Sequence, residues 1–407
     1  MPSVVPRMHI AIIWQRFLPY HRARIRHANK RLIDLGFQFT AIEVASQDIS
    51  YGFPANSPDD KLEYVCCFPG DSYHDHKARQ IYKKVLNVLN DVKPDIVFAP
   101  AIPFPEGIAA LAYRMKSGAR SVVMDDAWEH TDRRGSFVKL IKRLIYQNAD
   151  AAFIPATSHL PYYLKLGFTR DRIVFGVDVV DNEYFAKQVE LIRLEESKLR
   201  ETLRLPDNFF LFAGRILQRK GLETLLEAYK RYREIAKSDL WGLVLVGEGP
   251  YLDSLRSQFR DVPGAFYAGA QFGEDLCTYY ALARVLIVPS HSDPWGLVVN
   301  EALAAGLPVI ISDGCGAADT LVRDAENGWT FEHGSVNALR SLMHRITLLS
   351  PDTLEKMGNK SQEMITHWTL DRFVNGMLTA VDLERRSPAG MIPDILTKLW
   401  KGRMQVT

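Results

Sequence analysis

Short runs of continuous apolar residues, each followed by a helical pattern, recur from one end of this chain to the other. The recurrence restarts once. "MHIAIIW", "FQFTAIEVA", "LEYVCCF", "DIVFAP", "RSVVMD" and "AAFIPA" make a first series; after "RLPDN" come "FFLFAGR", "GLVLVG", "GAFYAG", "RVLIVPS" and "LPVIISD". A strand that stays apolar instead of alternating is covered on both faces, the condition of parallel strands in βα units. The restart therefore predicts an α/β protein of two Rossmann-like, doubly wound parallel-sheet domains. A length of 407 residues, too great for one core, agrees. The first domain is expected over 1–185 and the second over 205–385. The join falls within 178–207, where "KQVELIRLEESKLRETLRL" is charged, helical and closed by Pro206. In such domains ligands bind beyond the carboxyl ends of the strands, so the loops after each run are where function is sought.

Composition narrows the class further. At 47% apolar and 24% charged the chain reads as an ordinary globular protein, and no run approaches the eighteen or so apolar residues of a membrane span. The opening "MPSVVPRMHIAIIWQRF" has an apolar run too short for a secretory signal and reads as a first buried strand. Cys66, Cys67, Cys277 and Cys315 lack Cys-x-x-Cys spacing, and adjacent Cys66 and Cys67 would face opposite sides of a strand. A reducing, cytoplasmic setting fits them best. The net charge of +2 is unevenly spread: no acid precedes Asp34, against seven lysines and arginines.

The segment carrying most chemistry is "HSDPWGLVVNEALAAGLPVIIS", residues 291–312. Pro294 disfavours helix at Asp293, which places Asp293 in the loop after a buried strand. "WGLVVNEALAAG" has the composition of a helix closed by Gly306, with Glu301 on its second turn. The amides of Gly296, Leu297 and Val298 then form a helix N-terminus able to hold an anion. A hydroxyl-binding acid, a phosphate cradle and a second acid match the sugar hydroxyls, diphosphate and ribose diol of a sugar nucleotide. Alone, the pair also fits a dipole acid and a solvated carboxylate. The segment "FLFAGRILQRKGLETLLEAY" shifts that balance. It sets Arg215 just past a strand and Lys220 just before the next helix, with Gly214 and Gly221 freeing the backbone to approach a ligand. "LVLVGEGPYLDSLR" adds another strand, a turn at Gly247 and a helix, a weak signal by itself.

In this order and spacing, "GRILQRKG", "VGEGP", "VPSHSDPWGLVVNEALAAGLPVIISD" and "NGWTF" resemble the donor half of the retaining glycosyltransferases of family 4, which have the GT-B fold. The likeness is strong over roughly 205–385 and holds only in outline before that. It implies two domains facing across a cleft, the second binding a nucleoside diphosphate sugar and the first an acceptor. The final helical part, from about "HWTLDRFVNGM" onward, would cross back to the first domain, residues 386–407 being assigned to it outright. Arg215 and Lys220 would neutralise the diphosphate, Glu301 would hold the ribose, and Asp293 would contact the transferred sugar. Asp293 departs from the family's usual glutamate. No metal or other cofactor is implied, and the chain lacks the Asp-x-Asp motif of the other large glycosyltransferase fold. The reaction implied is hexosyl transfer to a glycan or lipid-linked hydroxyl with retention, in bacterial cell-envelope glycan or glycolipid synthesis. A sugar-nucleotide epimerase of the same fold and a catalytically silent sugar-nucleotide binder remain as rivals.

The first half departs more from that family. "WQRFLPYHRAR" has no glycine where many relatives carry a glycine-rich loop, and "FGVDVVDNEYF" has Phe175 where an asparagine is usual. In "SVVMDDAWEHTD" either Asp126, nearer the strand end, or His130 stands where the resemblance puts the family's cleft histidine, and acids merely solvated on a loop fit equally well. Zinc at "DSYHDHK" (His74 and His76, with Asp71 and Asp75) lacks further ligands and is not expected. "YHRARIRHANKRL" reads as a helix whose basic face is either plainly solvated, or meets an anionic acceptor or the anionic surface of the cytoplasmic membrane. Trp400, among lysines and aliphatics in the tail, agrees with peripheral membrane contact. Nucleic acid is not expected, since no stacking face accompanies the charge.

Overall fold

The computed structural model describes residues 8–47, 62–132, 134–236, 240–260 and 262–402. It divides into two compact units, Met1–Val179 with Leu370–Thr407, and Val180–Thr369. In the first, seven strands form one sheet: β1 (His9–Trp14), β2 (Gln38–Gln47), β3 (Val65–Ser72), β4 (Ile96–Pro100), β5 (Arg120–Met124), β6 (Ala151–Ile154) and β7 (Ile173–Phe175). Their order is β3-β2-β1-β4-β5-β6-β7 and every pairing is parallel. In the second, β8 (Phe209–Ala213), β9 (Gly242–Val246), β10 (Ala265–Gly269), β11 (Val285–Val288), β12 (Val309–Ser312) and β13 (Gly328–Phe331) run in the order β10-β9-β8-β11-β12-β13, again all parallel.

Each sheet reverses its winding once, between β1 and β4 and between β8 and β11. Neighbouring strands there send their chains to opposite sides, and the loops at their carboxyl ends part to leave a crevice. The apolar runs explain why the sheets form. All of Phe209–Ala213, Gly242–Val246 and Val285–Val288 are buried, because helices cover both faces. In the second unit Phe210, Phe212, Leu225, Tyr229, Tyr232, Trp241 and Leu243 meet in one cluster beneath the helix Leu222–Ile235.

Two strands lie outside the runs read from sequence. β7 and β13 are edge strands of three and four residues beside glycines, too short to produce a run. The unit boundaries also differ from those expected. Helices Asn182–Arg193 and Glu196–Leu203 fall in the second unit, where Arg193 and Arg200 donate to the carbonyls of Ala305 (3.1 Å) and Leu282 (2.6 Å). Helix Leu370–Asp382 falls in the first unit, in keeping with a crossing from about "HWTLDRFVNGM" and not with a second domain reaching 385. Its apolar stripe of Phe373, Val374, Met377 and Val381 is buried, and it packs on the helix Pro19–Asp34, β6 and β7.

Arginines tie down the segment beyond that helix. Arg120 donates to the carbonyls of Val381 and Leu383 (both 2.5 Å), and Asp150, gripped by Arg114 at 2.6 and 2.8 Å, also accepts from the amide of Arg386 (2.7 Å). The chain then enters the helix Met391–Leu399, laid against helices Ser136–Tyr146 and Pro105–Ser117.

Candidate active site

The crevice of the second unit lies between the loops after β8 and β11. Past β8, Gly214 takes a φ of +139° and Gly247, past β9, one of +142°. A Cβ on Gly247 would lie 1.9 Å from the carbonyl oxygen of Gly214. The two turns therefore interlock at backbone distance, sealed by the amides of Gly214 to Val246 O (3.0 Å) and Ile216 to Glu248 O (2.8 Å). Arg215 leaves this turn partly exposed. Lys220 ends the short 3-10 turn Gln218–Lys220, and Gly221, at φ +68°, comes so close to the carbonyl of Pro289 that a Cβ would stand 2.1 Å from it. Arg219 stitches this turn to the next loop: its carbonyl accepts from the amide of His291 (2.8 Å) and its guanidinium donates to Ser292 O (3.1 Å).

That stitching sets Lys220 against Asp293. Lys220 Nζ stands 2.5 Å from Asp293 Oδ2, with both side chains largely enclosed. Asp293 is held from behind as well. Its amide donates to Gly314 O (2.9 Å) and its carbonyl accepts from the amide of Gly316 (3.0 Å). Gly314 itself is pressed to 2.4 Å, counted from a Cβ, of the Ser290 carbonyl. The acid in the loop after β11 thus has a fixed direction and a cation already on it.

Gly296, at φ +91°, begins the helix Leu297–Ala304. A side chain there would run into Cys315 Sγ at 2.8 Å. Trp295 is buried and donates to Asn300 Oδ1 (2.9 Å), which fixes the entry to the helix. The amides of Gly296, Leu297 and Val298 stand at its first turn, the end with positive partial charge, and these three residues stay partly exposed. Glu301 lies one turn further along, where its Oε2 accepts from the buried Tyr280 hydroxyl at 2.7 Å. Burial pushes the Glu301 carboxyl up to about 7, against the pull of the Tyr280 bond. The structure therefore gathers the loops and helix start carrying Gly214, Arg215, Lys220, Gly247, Asp293, Gly296, Leu297, Val298 and Glu301 at one sheet edge. Such a set can meet an anion with two cations and a helix end, and hydroxyls with two carboxylates.

Sequence reasoning missed three contributors. Tyr280 reads as core in "TYYALA", and nothing local marks it as the partner of a residue twenty-one positions on. Arg219 and the Gly314–Gly316 loop act through backbone contacts that leave no pattern in the letters.

In the first unit Asp126 lies two residues past β5, partly exposed, and its charge bears on Arg24. His130 is exposed, its ring 4.5 Å from that of Trp128. The glycine-free loop after β1 is closed by side chains. Phe17 and Leu18 are buried, and the amide of Phe17 donates to Glu43 Oε1 at 2.7 Å.

Of the readings open for the basic helix, a wholly solvated basic face does not hold. Arg22 and Arg24 are buried; Arg24 donates to Val179 O (2.9 Å) and meets Asp178 at 3.3 Å, with its guanidinium over the Tyr20 and Phe373 rings. The physical reason is that the helix Leu370–Asp382 covers this side. Arg26, Lys30 and Arg31 remain exposed. At "DSYHDHK", His76 pairs with Asp71 (3.0 Å) and stacks on Phe68. Among the described residues no group of three or more His, Cys, Asp or Glu side chains is placed to hold a metal ion.

Comparison with known proteins places this architecture. Residues 195–364 match the family described as glycosyl transferases group 1. Sucrose-phosphate synthase from Thermosynechococcus elongatus superposes with a TM-score of 0.68 at 19% identity, over 91% of this chain and 97% of that one. Anabaena HepE in complex with UDP-glucose gives 0.70 at 15% identity, over 93% and 100%. The chain has the GT-B fold of these glycosyltransferases. Among relatives by sequence, a sulfoquinovosyl transferase of Arabidopsis thaliana is 29% identical over 231 residues, 55% of this GT-B chain and 42% of its own length. A GDP-mannose-dependent alpha-(1-6)-phosphatidylinositol monomannoside mannosyltransferase of Mycobacterium tuberculosis is 30% identical over 223 residues, 50% and 57% respectively. The GT-B chain thus spans about half the length of these curated relatives.

Proposed function

We propose that this protein moves a hexose from a nucleoside diphosphate sugar to an acceptor hydroxyl, with retention of anomeric configuration and without a metal. The observation that carries this reading is the loop after β11. It holds Lys220 at 2.5 Å from Asp293, beside the start of the helix that bears Glu301. In that reading Arg215 and Lys220, with the amides of Leu297 and Val298, take the diphosphate. They stabilise the charge that grows on it as the glycosidic bond breaks. Glu301 receives the ribose hydroxyls and Asp293 the transferred sugar. No side chain acts as nucleophile if the acceptor hydroxyl enters on the face the phosphate leaves. Its proton then passes to the departing phosphate oxygen. Asp126 stands as the acceptor-side candidate in the first unit.

The solved HepE structures with UDP and UDP-glucose favour a uridine nucleotide as the first donor to try. The glycolipid relatives favour a lipid-linked acceptor in cell-envelope synthesis. Incubation with a panel of nucleotide sugars, with and without candidate acceptors, tests the reading through release of free nucleotide. Acceptor-dependent release supports transfer. Conversion of the sugar nucleotide into its epimer without acceptor, the nucleotide still attached, supports the epimerase rival, and binding with neither release nor conversion a silent binder. Activity should persist in excess EDTA; complete loss restored by manganese would overturn the assignment of Arg215 and Lys220. Nuclear magnetic resonance of the product reads the anomeric outcome, and inversion would refute retention.

A further inference from the structure

Large apolar side chains scattered singly over a surface need no explanation, but a contiguous set does. The first unit has one. On the helix Ser136–Tyr146, Phe137 and Leu140 stand outward at helical spacing, while Ile145 and Tyr146 on the other side are buried. The helix Met391–Leu399 packs against it and turns out Met391, Ile392, Ile395 and Leu399, while Pro393 and Thr397 face inward. Phe137 is 74% exposed, Met391 78%, Ile392 64% and Leu399 73%, values without counterpart among the other described apolar residues except the scattered Leu194 and Leu348.

The two helices are anchored from behind. Asn148 donates to Thr397 Oγ1 (3.1 Å) and Trp400 Nε1 donates to Ile102 O (2.9 Å). The apolar face is thus held outward by a rigid support, not left loose.

Charge decides what kind of partner fits. Arg143 and Lys398 are exposed on the same two helices, and Asp394 is the lone acid on either. At the end of the second helix Lys401 lies over the Tyr82 ring at 4.2 Å. Burial and then the charges of Arg79 and Lys116 lower its affinity for a proton, so three cations gather at that rim. Exposed aromatic and aliphatic groups framed by lysine and arginine suit the headgroup region of an anionic bilayer. There the apolar groups enter the acyl boundary and the cations meet lipid phosphates. A second copy of the chain would bring the same positive rim against itself.

We propose that helices Ser136–Tyr146 and Met391–Leu399 form a docking surface for an anionic lipid membrane. This surface is distinct from the helix Pro19–Asp34, two of whose basic side chains, Arg22 and Arg24, are buried inside the unit. The inference is independent of the transferase reading, because lipid binding is read without donor, acceptor or turnover.

The test is sedimentation of the full chain with phosphatidylcholine vesicles, with and without phosphatidylglycerol, at low and high salt. Wild type should bind the phosphatidylglycerol vesicles at low salt and lose affinity as salt rises. Phe137→Asn with Leu140→Asn, and separately Ile392→Asn with Leu399→Asn, should each lower affinity about tenfold or more. Arg143→Gln with Lys398→Gln should weaken the preference for the anionic lipid. Circular dichroism and nucleotide binding should match wild type in every variant, since none of these side chains is buried. Three results would overturn the proposal: no vesicle binding by wild type at low salt, unchanged binding in both apolar variants, or apolar variants that only convert a dimer to a monomer.

Discussion

Replacing Glu301 by glutamine keeps the size of the side chain and removes its charge, and the consequence depends on pH. Burial raises this carboxyl to about 7. At pH 6 about nine in ten copies therefore hold a proton, and at pH 8 about one in ten. A ribose diol offers two hydroxyl donors, which the ionised carboxylate accepts better than the acid does. Binding of an intact nucleoside diphosphate sugar then draws on the ionised fraction. Its affinity should rise about tenfold between pH 6 and pH 8, about 1.4 kcal/mol. The intact donor is the right probe, because its diphosphate is esterified at both ends and does not titrate in this range, whereas the terminal phosphate of free nucleotide does.

Calorimetry with UDP-glucose at pH 6, 7 and 8 reads the effect. In Glu301→Gln the slope should vanish and the affinity should stay at or below the wild-type value at pH 6, since a hydrogen bond to a charged group contributes about 1–3 kcal/mol. Tyr280→Phe is the companion variant. Removing the hydroxyl that donates to Glu301 takes away the one contact favouring the anion, so the slope should persist with its midpoint moved to higher pH. A flat wild-type profile, or the same slope in the glutamine variant, would refute the ribose role of Glu301.

The other expectations rest on separate contacts. Glu106, fully buried and raised by that burial to about 7, keeps in the folded state a proton the unfolded chain releases from about 4.5 upward. Stability from this site is therefore greatest below that window and falls as pH rises through it, by about 3 kcal/mol at most; urea unfolding at pH 5 and 8 should show a smaller fall in Glu106→Gln, and an equal fall would sink the argument. Asp293→Asn should release Lys220 to the diphosphate, so that calorimetry finds free nucleotide held as well or better while turnover drops; parallel loss of both would mean the acid serves the nucleotide. Gly247→Ala places a methyl group 1.9 Å from a backbone oxygen that cannot yield, and should cost about 1–3 kcal/mol of stability together with nucleotide affinity. A variant that unfolds and binds like wild type would show that the two turns are not locked.

The parallel sheets were legible because their signal is local. Phe209–Ala213 or Val285–Val288 is apolar throughout, and only cover on both faces makes such a run stable as a strand. β7 and β13 escaped because three or four residues at an edge do not form a run. The return of the chain to the first unit at Leu370 agrees with a crossing from about "HWTLDRFVNGM", but the resemblance and not the residues supplied it. The helix that makes it has a plain amphipathic pattern, and the pattern does not say which core the stripe will join. That choice is made by Phe373 and Gly376 against Phe153 and Phe175, contacts between residues some two hundred positions apart.

In the site, sequence shows the charges and hides their partners. Arg22 and Arg24 have the same letters as Arg26, yet the first two are buried against Phe17 O, Val179 O and Asp178 while Arg26 lies at the surface. Lys220 and Asp293 are seventy-three positions apart and could each be placed near a ligand by strand-end reasoning. What that reasoning does not reveal is that the two side chains pair with each other. This changes the energetics of binding. An incoming diphosphate does not meet a free lysine; it competes with a carboxylate 2.5 Å away, and the gain from its charge is the difference between two ion pairs. The competition favours a ligand that satisfies both partners at once, phosphate on Lys220 and sugar hydroxyls on Asp293. Free nucleotide supplies the first and not the second. On the proposed reading an intact sugar nucleotide would supply both, so the Lys220–Asp293 pair would itself discriminate donor from spent nucleotide.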